Sequence, residues 1–272
     1  MQDETEEEDA MAVTAEIRLG DVEVRRIGLG TNRLRNTPAN VAFLKAAIAG
    51  GLGHLDTAHT YTGGDSEETI GAALAPFPDG VVVATKGGWS SGRRDALRAE
   101  IEESLRRLRT DVIPLYYLHR PDPETPIEDS VAAIEEYRRS GQIRHMGLSN
   151  VGIDEIERAR QVAPIVAVQN HYNLAERGSD DVVDYCTDAG IVFVPYFPLR
   201  DDGGRPLVEI AARHGATPAQ IALAWLLRRS PAMLPIPGTL SADHLRENLA
   251  AVQFELDDAD LQELDGAGGH GA

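Results

Sequence analysis

Four residues of this chain carry side chains able to hold or move a proton, and each stands at or just beyond the end of a short apolar run. Asp56 follows Gly53-His54-Leu55, Lys86 follows Val81-Val82-Val83-Ala84-Thr85, and His119 follows Leu115-Tyr116-Tyr117-Leu118; Tyr61 comes five residues after Asp56. A lone tyrosine has a pKa of about 10 and is a poor acid at neutral pH. A cation beside it stabilises the phenolate and pulls that pKa down. Lys86 is the candidate cation, Asp56 the group that keeps it charged, and His119 the donor that directs a carbonyl oxygen toward the phenol. Such a set suits protonation of an oxyanion as it forms, as in carbonyl reduction by hydride, where general acid catalysis contributes about 10²–10⁴-fold. Lysine usage points the same way. The chain has 24 arginines and only two lysines, Lys45 and Lys86, so a position that keeps lysine calls for a compact amine rather than a planar fork. Taken singly, each residue also has a plain structural reading: a loop-capping acid, a packed tyrosine, a surface lysine, a satisfied core histidine. Their joint placement favours the chemical one.

The elements that deliver these residues alternate along the chain. Ala15–Leu19 and Val22–Arg25, joined by Gly20-Asp21, predict a hairpin. Ile27–Thr31 then reads as a buried strand, and a helix follows from Pro38 with Thr37 as its N-cap and Gly50-Gly51 as its stop. Further strands end at Asp56, Lys86, His119, Asn150, Asn170, Tyr196 and Ile236, with helical patterns between them; the last two helices are expected near 242–250 and 257–265. Continuous apolar runs such as Val81–Ala84 and Ile191–Val194 are those of parallel strands buried on both faces. Eight β/α units in 272 residues is the arithmetic of a single (β/α)8 TIM barrel, whose chemistry lies at the C-terminal ends of its strands. A doubly wound sheet is the runner-up, but Gly28-Leu29-Gly30 lacks the third glycine of a dinucleotide fingerprint. The barrel is assigned to residues 13–265, between an acidic tail over 1–12 and a flexible tail over 266–272.

Composition narrows the partners. A formal charge of -18 argues against nucleic acid and anionic membranes, both of which call for basic patches. No apolar run approaches the roughly 18–20 residues of a membrane span, and the acidic start is unlike a secretory signal. The single cysteine, Cys186, permits no internal disulfide and suits a reducing cytosol. His54 and His59 flank Asp56, but no cluster has metal-ligand spacing, so no metal is expected. No obligate protein partner is evident.

The motifs together resemble those of the aldo-keto reductase family. Leu55-Asp56-Thr57-Ala58-His59-Thr60-Tyr61, Ala84-Thr85-Lys86 and Tyr117-Leu118-His119-Arg120-Pro121-Asp122 occur in that family's order and spacing. Gly147-Leu148-Ser149-Asn150, Val168-Gln169-Asn170, Pro195-Tyr196-Phe197-Pro198-Leu199 and Ile236-Pro237-Gly238-Thr239 with Glu247-Asn248 follow suit, so the resemblance spans roughly residues 15–255. It implies a barrel whose N-terminal hairpin closes the bottom, an extended NADP(H) across the top, and hydride transfer between nicotinamide and a small-molecule carbonyl. Carried over by motif, Tyr61 is the general acid/base, Lys86 tunes it, Asp56 holds Lys86 and His119 orients the carbonyl. Ser149, Asn150 and Gln169 would bond the nicotinamide carboxamide, Tyr196 would stack on its ring, and Thr31 and Asp56 would lie near its ribose. Pro198, Leu199 and Ile236 belong to the same cofactor set. The segment from Gly238 through Thr239 and His244 to Glu247 and Asn248 would hold the adenosine end. A monomer is the family default.

Two departures qualify the resemblance. Many members carry Lys-Ser and a later arginine where this chain has Gly238, Thr239 and His244, which weakens the expected preference for NADP(H) and leaves NAD(H) possible. The loop at Arg200–Arg205 and the C-terminal segment are short, which implies modest cofactor affinity and an open substrate site. Trp89 is a candidate wall of that site, and Arg120 either contacts acidic substrates or pairs with Asp122. Two other functions are compatible with the residues: a Schiff-base aldolase or lyase using Lys86, and a nucleotide-binding regulatory barrel.

Overall fold

In the computed structural model, which describes residues 14–199 and 204–268, the chain opens with an antiparallel hairpin, β1 (Glu16–Leu19) and β2 (Val22–Arg25). Strands and helices then alternate: β3 (Leu29–Gly30), α1 (Pro38–Ala49), β4 (His54–Asp56), α2 (Asp65–Leu74), β5 (Val82–Gly87), α3 (Arg94–Leu108), β6 (Ile113–Leu118), α4 (Ile127–Arg139), β7 (Ile143–Ser149), α5 (Ile153–Arg160), β8 (Ala167–Gln169), α6 (Asp180–Ala189) and β9 (Val192–Phe193). Four more helices complete the chain: α7 (Gly204–His214), α8 (Pro218–Arg229), α9 (Ala242–Leu249) and α10 (Asp258–Gly268). The tail over 1–12, residues 200–203 of the loop after Tyr196, and residues 269–272 lie outside the described residues.

Strands β3 to β9 form one parallel sheet whose spatial order is their chain order, which is a barrel's order and not that of a doubly wound sheet. The sequence predicts eight strands; the ladder contains seven. The eighth position is filled by residues 233–238, which bridge β9 through Phe193–Met233 and β3 through Gly30–Gly238. Pro235 and Pro237 in this stretch have no N–H to donate. Their carbonyls still accept from Gly28 at 2.9 Å and Gly30 at 3.3 Å, so the barrel curls closed along a seam instead of a regular strand. A Cβ on Gly30 would meet the Ile236 carbonyl at 2.8 Å, so this close approach needs glycine.

The pleat sorts each strand into an inside and an outside. Val82 and Ala84 point into the barrel with Leu115, Tyr117, Ala167, Val192 and Leu234, whereas Val83, Tyr116, Leu118, Met146, Leu148 and Val168 pack outward beneath the helices. Leu19 and Val24 of the hairpin join the inner cluster, and Asp21 in its turn bonds His145 at 2.6 Å and pairs with Arg144, both on β7. This is the bottom closure that the resemblance implies. Local signals hold elsewhere: Thr37 caps α1 by accepting from the Asn40 amide at 3.2 Å, and Thr217 and Gln220 form a capping box on α8.

Candidate active site

Strand parity gathers the polar residues at one end of the barrel. Lys86 shares the inward face of β5 with Val82 and Ala84, and Asp56, His119, Ser149 and Gln169 continue the inward faces of β4, β6, β7 and β8. Tyr61 reaches the same place from a loop. Thr57 and His59 extend the ladder past β4 by donating to the carbonyls of Ala84 at 2.8 Å and Lys86 at 2.9 Å. The chain then tightens into a 3₁₀ turn at Tyr61–Gly64, where Thr62, Gly63 and Gly64 all have positive φ. Arg107 of α3 holds this turn from behind, donating to the His59 carbonyl at 3.0 Å.

The centre of the site is a dry ion pair. The Lys86 side chain has no exposed surface, and that of Asp56 is 2% exposed. The ammonium donates to Asp56 Oδ2 at 2.6 Å, to the Thr57 carbonyl at 2.7 Å and to the Tyr61 hydroxyl at 3.4 Å, which uses all three N–H groups. Gln169 Nε2 donates to the other oxygen of Asp56 at 2.7 Å. Burial pulls the Lys86 pKa down, but the charge of Asp56 and the contact with Tyr61 outweigh it, and the net direction is upward. Tyr61 differs from expectation. Burial raises its pKa more than Lys86 lowers it, so the phenol as it stands is a weaker acid than an ordinary tyrosine. Residue types alone carry no measure of the desolvation that opposes the cation.

His119 sits across from the phenol, its ring centroid 6.1 Å from that of Tyr61 and 4.8 Å from that of Trp89. Burial, then Lys86, then Arg120 push its pKa down to about 3, so the imidazole is neutral at physiological pH. Nδ1 is buried without a partner. A buried N–H without an acceptor is costlier than an idle lone pair, which favours the tautomer with its proton on Nε2, the nitrogen free to meet a ligand.

These groups open onto a cavity of about 950 Å³ lined by Thr31, Asp56, Tyr61, Trp89, His119, Arg120, Ser149, Asn150, Tyr196, Pro198, Leu199, Ile236 and Gly238, all singled out from the sequence. Gly30, Asn32, Arg33, Thr60, Phe197 and Pro237 also line it; for Asn32 and Arg33 the only sequence signal is their position just past the first barrel strand. Lys86 and Gln169 stand behind the wall, in contact with Asp56. Gln169 is 1% exposed and braces the Asp56 carboxylate through its Nε2. Thr239, His244, Glu247 and Asn248 are absent from the cavity wall. The Thr239 hydroxyl accepts from the Ser241 amide at 3.0 Å, and His244, Glu247 and Asn248 lie on α9. Arg120 does not pair with Asp122. It donates from Nε to the Trp89 carbonyl at 2.6 Å and lays its guanidinium 4.7 Å over that indole. Asp122 instead accepts from the amides of Gly92 at 2.7 Å and Glu124 at 3.0 Å.

The wall fits a nicotinamide cofactor. Tyr196 is half-buried and stacks one ring face on His171 at 5.2 Å with a 5° tilt. Its hydroxyl donates to Asn150 Oδ1 at 2.8 Å, and Asn150 Nδ2 donates to Ser149 Oγ at 3.1 Å, leaving a serine hydroxyl proton at the cavity wall. An aromatic plane beside a row of amide and hydroxyl groups matches a flat heteroaromatic carboxamide. Among the described residues no cluster of side chains has the make-up of a metal site, and no helix is long and apolar enough to cross a membrane. His54 is buried against the Val82 carbonyl at 3.0 Å.

Comparison with known proteins fixes the family. The aldo/keto reductase family signature matches residues 26–205 and 202–268. Pyridoxine 4-dehydrogenase of Escherichia coli is 37% identical over 278 residues, covering 91% of this chain and 96% of that protein. An uncharacterised oxidoreductase of Schizosaccharomyces pombe is also 37% identical, over 93% and 89% of the two chains. A thermostable aldo-keto reductase crystallised with epalrestat superposes with a TM-score of 0.87 at 37% identity, covering 94% of this chain and all of that one. An aldo/keto reductase of Klebsiella pneumoniae in complex with NADP and acetate superposes at 0.84 with 32% identity, over 93% and 95%. The chain belongs to the aldo/keto reductase family and is an NAD(P)H-dependent oxidoreductase.

Proposed function

We propose that this protein reduces the carbonyl of a small aldehyde or ketone with NADPH, and oxidises the alcohol in reverse, with Tyr61 as the general acid/base. One observation carries the reading: a fully buried ammonium bridges Asp56 and the Tyr61 hydroxyl, and that hydroxyl opens onto the same cavity as His119. A nicotinamide held in the cavity by Ser149, Asn150 and Tyr196 would supply the hydride. His119, neutral, donates from Nε2 to the substrate carbonyl and aligns it. Tyr61 gives its proton to the oxygen as negative charge develops there. Lys86 stabilises the phenolate left behind, and Asp56, braced by Gln169, keeps Lys86 protonated. The net upward push on the Tyr61 pKa suits an acid that keeps its proton until the reaction calls for it.

Lys86 itself makes a poor Schiff-base nucleophile. A nucleophilic amine must be neutral and reachable, whereas this one is dry, triply hydrogen-bonded and pushed toward the charged form. For the cofactor, NADP(H) is favoured by the Klebsiella pneumoniae relatives solved with NADP and with NADPH. The cation that Gly238 and Thr239 lack is offered beside them by Arg33, which comes from the loop after β3 and whose Nη2 lies 3.4 Å from the Gly238 carbonyl. Ser149, Asn150 and Tyr196 would hold the nicotinamide. The Escherichia coli relative makes pyridoxine a first substrate to try. A cytosolic monomer is the setting we propose.

The test is Tyr61→Phe. Turnover with NADPH and a simple aldehyde is expected to fall by about 10²–10⁴-fold while the NADPH dissociation constant, read by fluorescence titration, stays near wild type. Retention of substantial turnover would mean that the proton comes from another group.

A further inference from the structure

Among the described residues, the cavity wall holds one carboxylate, Asp56, whose charge Lys86 matches, and two arginines, Arg33 and Arg120. In a chain with a net charge of -18, most described arginines are locked to Asp or Glu, on helices and loops alike. Among the described residues, neither Arg33 nor Arg120 has a carboxylate partner. Arg33 stands at the seam, beside Gly238. Arg120 stands on the side where the substrate carbonyl must lie, next to Trp89 and His119.

Arg120 is also held ready. Its Nε is tethered to the Trp89 carbonyl at 2.6 Å and its plane rests 4.7 Å over the indole. That indole lies 4.8 Å from the imidazole of His119, so one aromatic ring separates the guanidinium from the group that orients the carbonyl. The tether uses one N–H and leaves Nη1 and Nη2 to grip a planar anion through two parallel hydrogen bonds. Asp122, the nearest acid in sequence, already accepts from Gly92, Glu124 and Thr125. Resting on the reductase reading above, we propose that the substrate is a carbonyl compound bearing a carboxylate or phosphate, and that Arg120 binds this anionic group while Trp89 flanks the chain between it and the carbonyl. An overall acidic protein repels such molecules at a distance, so a local, unpaired and tethered guanidinium is the kind of device needed to retain them.

The experiment compares matched substrates with NADPH: butanal against 4-oxobutanoate for a carboxylate, and glyceraldehyde against glyceraldehyde 3-phosphate for a phosphate. Wild-type kcat/KM is expected to favour at least one anionic member by about tenfold or more, and the pair that does so identifies the anion. In Arg120→Gln that ratio should collapse toward one, with the larger loss of kcat/KM falling on the anionic member. Arg120→Lys, with charge but no fork, should fall between. Equal use of neutral and anionic members by the wild type would overturn the proposal, and so would a preference that survives Arg120→Gln. If no aldehyde is turned over at all, the reductase reading fails, and a second measurement decides this one separately. Succinate and phosphate should each be titrated against the tryptophan fluorescence, to which exposed Trp89 contributes. Saturable quenching lost in Arg120→Gln supports the anion site, and no quenching in the wild type overturns it.

Discussion

Lys86 and Arg26 are both buried cations of this barrel, and their partners differ in kind. Lys86 faces a carboxylate, a carbonyl and a phenol at the top of the strands. Arg26, 2% exposed, faces carbonyls alone: Met233 at 3.2 Å, Leu227 at 3.1 Å and Ser230 at 2.7 Å. Burial therefore acts on Arg26 without an opposing anion and pulls its pKa down to about 10, still charged at neutrality. For Lys86 the anion wins and the direction is upward. The contrast separates two uses of a buried charge. Fixed peptide dipoles, here at the negative end of α8, can only fasten, and Arg26 fastens the first strands to the start of the seam. A titratable partner and a titratable neighbour make a cation able to take part in proton transfer.

Removing each cation should break the comparison in different ways. Lys86→Met is expected to cost most. It strands Asp56 as a buried charge, a loss of about 3–5 kcal/mol in stability, and it lowers kcat by about 10²–10⁴-fold, read by urea denaturation and single-turnover kinetics. The raised pKa of Lys86 adds a sign. Its stabilisation is present below the unfolded-state pKa and is lost as pH rises through the folded value, and Lys86→Met should lack that alkaline loss. Arg26→Met leaves carbonyls without donors, at about 1–3 kcal/mol for each that stays dry. Cofactor affinity should weaken with the seam while kcat at saturation holds; a loss of kcat as large as that of Lys86→Met would erase the distinction.

A subtler difference concerns His119. With its pKa near 3 in the fold against an ordinary 6.5, the unfolded chain binds the extra proton between those values. This contribution to stability is therefore present above about pH 6.5 and is lost as pH falls toward 3. An NMR titration should find the imidazole neutral through pH 5. Lys86→Met should raise the His119 pKa and Arg26→Met should leave it alone. Smallest of all is Arg94→Gln, which removes the exposed pair with Glu136 and should change stability by less than about 1 kcal/mol.

The sequence made the Lys86 half of this comparison readable and hid the Arg26 half. Strand ends are legible because parallel strands buried on both faces leave apolar runs, so Asp56, Lys86 and His119 stood out. Arg26 gave no sign, because its partners are backbone atoms more than two hundred residues away. The bond from Gln169 to Asp56 gave no sign either, because it spans 113 positions. The eighth strand was expected from the apolar character of Met233–Ile236; Pro235 within that stretch and Pro237 just after it explain why it forms only bridges. The direction of the Tyr61 pKa depends on how dry the site is, which residue types alone do not state.

The seam has one more consequence, for isotope labelling. Among the described residues, four backbone amides hold it: Phe193, Leu234, Gly28 and Gly30. Pro235 and Pro237 have no amide proton to exchange. Deuterium uptake at those four reporters alone would register how often the barrel parts along its closing edge. Ile236, Pro237 and Gly238 line the cavity from that same edge, so a dinucleotide seated there should slow exchange at the four together, while the amides between β5 and β6, deep in a regular ladder, keep their rates.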